Sequence, residues 1–161
     1  MNDFYGIEIS ESCIDIASKR LAQFVNFKKE NLLVSVSEQS LTSHFDLIVA
    51  WQMLYYNDTK GLATSIANLH DWLKPGVVLI CTLITSNDVK VKHSVLVDEN
   101  TYVIDGRIPT QDGCKVFSPR NKEEFLGLFS GYDILDVGYY ERASYLSENT
   151  ASEYYLVAKK R

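Results

Sequence analysis

Apolar residues along this chain fall into two kinds of pattern. Phe4 to Ile9, Phe45 to Trp51 (FDLIVAW) and Val77 to Ile84 are short continuous runs, the signature of strands buried in a parallel sheet. Between them, apolar residues recur every three or four positions. Ile14, Ala17, Leu21 and Ala22 line one side of a helix whose wet face carries Glu11, Asp15, Lys19 and Arg20. Ser10 or Ser12 can cap it, and its acids precede its bases, as the helix dipole prefers. Leu62, Ile66, Leu69 and Leu73 mark a second helix over Asp58 to Leu73, which must stop at Lys74-Pro75-Gly76. Val25 to Phe27 reads as a short strand, and Asn31 to Val36 as an extended piece or a turn of helix.

This alternation predicts an α/β fold with a parallel sheet covered on both faces. Thr85 to Ser118 breaks it. The stretch is polar, carries Asp98-Glu99-Asn100, Asp105-Gly106 and Asp112-Gly113, and alternates at Ser94 to Val97 and Tyr102 to Ile104. It reads as a long substrate-side excursion containing a small hairpin. Pro119 to Phe129 follows as a short helix, with Ser118 as its cap, Pro119 at its first position, Phe125, Leu128 and Phe129 inward, and Gly131 at its end. Two strands close the chain, Tyr132 to Glu141 and Glu153 to Lys159. The loop between them is too short for a parallel crossover, so they must be antiparallel if they pair.

The length of 161 residues, 46% of them hydrophobic, suits one core, and a single domain over 1–161 is expected. Acidic residues outnumber basic ones by 21 to 16, and the basic ones are scattered apart from Lys159-Lys160-Arg161, read as a solvated tail. Nucleic acid is therefore not the expected partner. Cys13, Cys81 and Cys114 have neither disulfide-framework nor zinc spacing, and His44, His70 and His93 are isolated, so no metal site is expected. His70 reads as solvated. The N-terminus has no basic or apolar signal region, and the longest apolar run is too short to span a bilayer, which points to a soluble cytoplasmic protein.

The run Tyr5-Gly6-Ile7-Glu8-Ile9-Ser10 followed by Cys13-Ile14-Asp15-Ile16-Ala17 resembles the second strand and following helix of class I S-adenosylmethionine-dependent methyltransferases. Phe45-Asp46-Leu47-Ile48-Val49 resembles that family's fourth strand, and Leu73-Lys74-Pro75-Gly76 the turn before its fifth, with Val77 in place of a second glycine. The antiparallel end fits too, because these folds reverse the last strand and tuck it between its two predecessors. The resemblance implies a Rossmann-like sheet and S-adenosylmethionine as cofactor. It makes Glu8 the acid that accepts hydrogen bonds from both ribose hydroxyls, a role that suits the two oxygens of a carboxylate at a strand's C-terminal end. It places Ile9 beside that acid, Asn31 and Leu32 near the adenine, and Trp51 and Gln52 along the adenosyl and substrate pocket, with Tyr55 and Tyr56 packing behind them.

The family's glycine-rich turn occurs nowhere in the sequence. The first strand and that turn would precede Met1 and need roughly thirty residues. The first strand would stand between the second and fourth, so Phe4 to Ile9 and Phe45 to Trp51 are each expected to lack a partner. Three accounts are open: an N-terminally incomplete chain, a gap filled by a partner segment or a second copy in a homo-oligomer, or direct closure of the two strands. The implied reaction is methyl transfer to a small-molecule acceptor. His93 is a candidate substrate-side base, and no catalytic residue is assigned. The rival readings are a non-catalytic methyltransferase-like binding or scaffolding subunit and an inactive fragment of a longer enzyme. A nucleotide-dependent oxidoreductase is a third, which the antiparallel end disfavours.

Overall fold

The computed structural model of the chain describes residues 4–8, 10–21, 25–29, 41–143 and 149–161. Ile9, Asn31, Leu32 and the rest of the segment 31–36 lie outside the described residues. The chain divides into two compact units, Met1–Ser37 and Glu38–Arg161.

The first unit contains β1 (Phe4–Glu8), α1 (Glu11–Leu21) and β2 (Val25–Lys29). The two strands are parallel, in register from Phe4 opposite Val25 to Glu8 opposite Lys29. Parallel neighbours need a crossover, and α1 supplies it. Ser10 opens the helix as expected: its carbonyl accepts from the Ile14 amide at 3.0 Å, and its hydroxyl accepts from the Cys13 amide at 3.4 Å.

The second unit runs β3 (Phe45–Ala50), α2 (Thr59–Trp72), β4 (Leu73–Ile84), α3 (Val89–Lys92), β5 (Ser94–Asp98), β6 (Thr101–Ile104), β7 (Lys115–Phe117), α4 (Lys122–Gly127), β8 (Tyr132–Ala143) and β9 (Thr150–Lys160). Its main sheet has the order β3-β4-β9-β8. β3 and β4 are parallel, and β9 runs antiparallel to both of its neighbours. The last strand is thus reversed and inserted between its predecessors, as the short final loop required. Among the described residues β1 pairs with β2 alone and β3 with β4 alone.

One face of the main sheet is packed. Leu79, Cys81, Leu83, Leu156 and Ala158 alternate onto it and are fully buried. Leu62, Leu69 and Trp72 of α2 are buried as well, and Phe125 of α4 stacks on Tyr154 with centroids 5.0 Å apart. Asp58 caps α2 by accepting from the Gly61 amide at 2.8 Å.

Several expectations need correction. β4 begins at Leu73 rather than Val77, because Leu73 already pairs with Phe45 before the Lys74-Pro75-Gly76 excursion interrupts the register. Phe45 to Trp51 is not buried on both faces: Leu47 is 51% and Val49 56% exposed, and among the described residues β3 pairs with β4 alone. The cap of α4 is Asn121, which accepts from the Glu124 amide at 2.9 Å, whereas the Ser118 hydroxyl is buried and donates to the Ile84 carbonyl. His70 is half-buried against Tyr132, edge to face.

The basic terminus is not a solvated tail. Lys160 ends β9 and donates to the carbonyls of His70 and Leu73 at 2.6 and 2.8 Å, where the unsatisfied C-terminal carbonyls of α2 attract a cation. The excursion holds more than a hairpin, since β5, β6 and β7 form a three-stranded antiparallel sheet. Asn100, in the left-handed region at φ 60°, turns the chain between β5 and β6. No helix among the described residues is long and apolar enough to cross a membrane.

Candidate functional site

In the first unit, Glu8 is the last residue of β1 and half-buried, with its Oε1 accepting from the Ser10 amide at 3.0 Å. The short connection from strand to helix fixes this geometry. It presents a carboxylate at the C-terminal end of a parallel strand, the edge at which α/β sheets bind ligands.

In the second unit, the corresponding edge is formed by the end of β3, the end of β4 and the start of β9. Trp51 and Gln52 follow β3 directly. Trp51 is 48% exposed and lies parallel to the ring of Tyr140, with centroids 6.3 Å apart and an interplanar angle of 6°. Gln52 takes the left-handed conformation, φ 56°, which a residue with a Cβ adopts at some cost. Its amide donates to the Thr82 hydroxyl of β4 at 2.8 Å, holding it in that turn.

From there the Gln52 side chain reaches β9. Nε2 donates to Glu153 Oε1 at 2.8 Å and lies 3.4 Å from the Tyr140 hydroxyl. Glu153 stands opposite Ile84 on one side and Tyr140 on the other. It is 1% exposed, and among the described residues its Oε2 has no hydrogen-bond partner. Tyr155, two residues along the same face, lays its ring over Gly138, where an added Cβ would come within 2.6 Å of ring atoms.

Electrostatics follow burial. The Tyr140 hydroxyl is raised above the ordinary phenol value, first by burial, with the Glu153 carboxyl adding to the shift and the Gln52 hydrogen bond opposing it. Tyr55 is raised strongly, again by burial first, with its neighbour Tyr56 and then the Glu153 and Asp88 carboxylates adding to it. Both tyrosines are therefore hydrogen-bonding groups rather than anions at neutral pH. Asp88 is fully buried and accepts from the Lys90 and Ser152 amides, 2.9 Å each, tying α3 to the start of β9.

Of the residues singled out in the sequence, Trp51 and Gln52 stand together at this edge. Glu8 belongs to the first unit. Tyr55 is buried and Tyr56 is partly exposed, their rings 4.5 Å apart. His93 terminates α3, with Nδ1 buried and without a hydrogen-bond partner among the described residues. Glu153 and Tyr140 were not anticipated. A signal for Glu153 was present, an acid within the apolar and aromatic pattern of a strand that must lie inside the sheet.

The order of strands and the reversal of β9 give the fold, and one comparison gives the family. A family model described as a methyltransferase domain matches residues 2–129. The chain belongs to this family. Its fold is that of class I S-adenosylmethionine-dependent methyltransferases. The solved structures similar to it include an S-adenosylmethionine-dependent methyltransferase from Methanosarcina mazei, 20% identical, TM-score 0.74, covering 98% of this chain and 82% of that one. The N-methyltransferase NodS from Bradyrhizobium japonicum, solved with S-adenosyl-L-homocysteine, is 16% identical with TM-score 0.63, covering 97% and 65%. A Burkholderia thailandensis 1,6-didemethyltoxoflavin-N1-methyltransferase, solved with 1,6-didemethyltoxoflavin and S-adenosylhomocysteine, is 14% identical with TM-score 0.63, covering 97% and 60%. This methyltransferase domain thus spans from about three fifths to about four fifths of the length of these proteins. No curated protein matches its sequence.

Proposed function

We propose that this domain binds S-adenosylmethionine and takes part in methyl transfer to a small-molecule acceptor. The observation that carries the reading is Glu8, a carboxylate at the C-terminal end of a parallel strand in a methyltransferase-family chain. NodS and the toxoflavin enzyme, solved with S-adenosylhomocysteine, support it.

Glu8 fits the cofactor's ribose, because a carboxylate offers two acceptors to a vicinal diol and the Ser10 amide orients it. Asn31 and Leu32 are proposed to lie near the adenine, with Ile9 beside the ribose acid. Trp51 and Gln52 are proposed to line the adenosyl and substrate side. When bound, the cofactor supplies a methyl group already activated by a positive sulfur. The work left to the protein is alignment of the acceptor and exclusion of water. Cys13, Cys81 and Cys114 are free thiols, which supports a reducing, cytoplasmic setting.

Calorimetric titration with S-adenosylhomocysteine tests the reading. Saturable binding is expected, and Glu8→Ala should weaken it by about 10- to 100-fold, the worth of a hydrogen-bonded charge. A folded chain that gives no binding heat would contradict it. That result would favour the second reading, a non-catalytic binding subunit.

A further inference from the structure

Glu153 lies on β9, an inner strand of the main sheet, and is almost completely buried, yet only half of its carboxyl is used. Oε1 takes the Gln52 amide, and Oε2 takes no hydrogen bond among the described residues. Folded proteins seldom leave a buried carboxyl oxygen unpaired, since its lost hydration is then not repaid by any partner. Packing alone does not call for an acid here. Glu153 makes no ion pair with a described Lys, Arg or His, so it is not half of a structural salt bridge.

The surroundings show what the carboxyl suits. Tyr140 stands across the ladder from Glu153 with its ring parallel to that of Trp51, and aromatic faces attract organic cations. The side-chain donor seated on Oε1 is the amide of Gln52, a neutral N–H group on an exposed side chain that its own backbone holds in the left-handed region, and the Tyr140 hydroxyl also interacts with the carboxyl. Gln52 thus occupies the place that the N–H of a ligand would take.

We propose that Glu153, gated by Gln52 and walled by Trp51 and Tyr140, is the seat for the amino group of an amine. The ligand class is a small primary or secondary amine bearing an apolar group. Its nitrogen displaces the Gln52 amide and donates to both carboxyl oxygens, while its apolar part lies against Trp51. In the context of the methyltransferase reading, on which this identification of the acceptor rests, the amine is the methyl acceptor: the ammonium passes one proton to the Glu153 carboxylate, the freed nitrogen lone pair forms the N–CH3 bond as the S–CH3 bond of the sulfonium breaks, and S-adenosylhomocysteine leaves. The seat itself is a property of the second unit.

The test uses the full chain and two isosteric probes, benzylamine and benzyl alcohol, titrated at pH 7.5 with binding followed by tryptophan fluorescence and calorimetry. Benzylamine should bind saturably and at least tenfold more tightly than benzyl alcohol. Glu153→Gln, which keeps the side chain's size, should lose at least tenfold in amine affinity and abolish the preference over the alcohol. Gln52→Ala removes the internal competitor and should tighten amine binding several-fold. No saturable amine binding, equal binding of the two probes, or a preference that survives Glu153→Gln would overturn the proposal. If Glu153→Gln fails to fold, Gln52→Ala decides, because unchanged or weaker amine binding there contradicts the gate. S-adenosylhomocysteine is titrated into the same samples. Its binding without amine binding sinks the seat and leaves the methyltransferase reading intact, whereas the reverse sinks that reading and leaves the seat.

Discussion

The packed face of the main sheet and the edge around Gln52 are built from the same strands by opposite rules. On the packed face, Leu79, Cys81 and Leu83 of β4 and Leu156 and Ala158 of β9 are apolar and buried, and Phe125 of α4 stacks on Tyr154 beside them. At the edge, a residue with a Cβ sits in the left-handed region, a tryptophan is half exposed, and a buried carboxyl has an unpaired oxygen. The first region is what burial of apolar surface produces unaided. The second is costly to keep, and such local conflicts mark function more often than architecture.

The contrast makes predictions of opposite sign. Phe125→Ala removes a fully buried ring that stacks on Tyr154 and should cost about 3–5 kcal/mol, read as a lowered denaturant midpoint. Glu153→Leu replaces a buried, half-paired carboxyl and should stabilise the fold by about 1–2 kcal/mol, since Gln52 is exposed and can turn to water. A destabilisation as large as that of Phe125→Ala would make Glu153 a core residue and dissolve the distinction between the two regions.

The helix ends supply smaller effects on the packed side. Asp58→Ala should cost about 1 kcal/mol by removing the cap on Gly61. The Gly61 hydrogen bond, and after it Lys115, hold the Asp58 carboxyl below its ordinary value. A group lowered on folding stabilises above its unfolded value, so this contribution is intact at neutral pH and fades as acid takes the solution below about pH 4. The wild type and Asp58→Ala should therefore converge in stability as the pH falls through that range. Lys160→Met should cost less, about 0.3–1 kcal/mol, by uncapping the last carbonyls of α2. Thermal melts of the two proteins at equal pH measure it.

Most of the scaffold was legible because periodicity reports which side of an element is dry. Leu62, Ile66 and Leu69 gave α2, and the length of the last loop gave the reversed strand. What escaped depended on contacts distant in sequence. Nothing near Lys160 shows that it will meet the end of α2 ninety residues earlier. Asn121 displaced Ser118 as the cap of α4 because Ser118 is drawn inward to the Ile84 carbonyl. The apolar run of β3 suggested burial on both faces, but hydrophobicity alone cannot say that Leu47 and Val49 are exposed on one of them. At the edge, Trp51 and Gln52 were legible from their position after a strand. Glu153 was signalled only as an acid within an apolar strand, since its meaning comes from Gln52 and Tyr140, which meet it from the turn after β3 and from β8.

The central claim, that this domain binds S-adenosylmethionine through the acid ending β1, is tested most directly by a two-dimensional amide NMR titration with S-adenosylhomocysteine. The Ser10 amide, hydrogen-bonded to Glu8, should shift saturably in the wild type and stay unmoved in a folded Glu8→Ala variant at the same ligand concentration. A well-dispersed wild-type spectrum in which no amide shifts, or in which the shifts spare Ser10, would contradict the account.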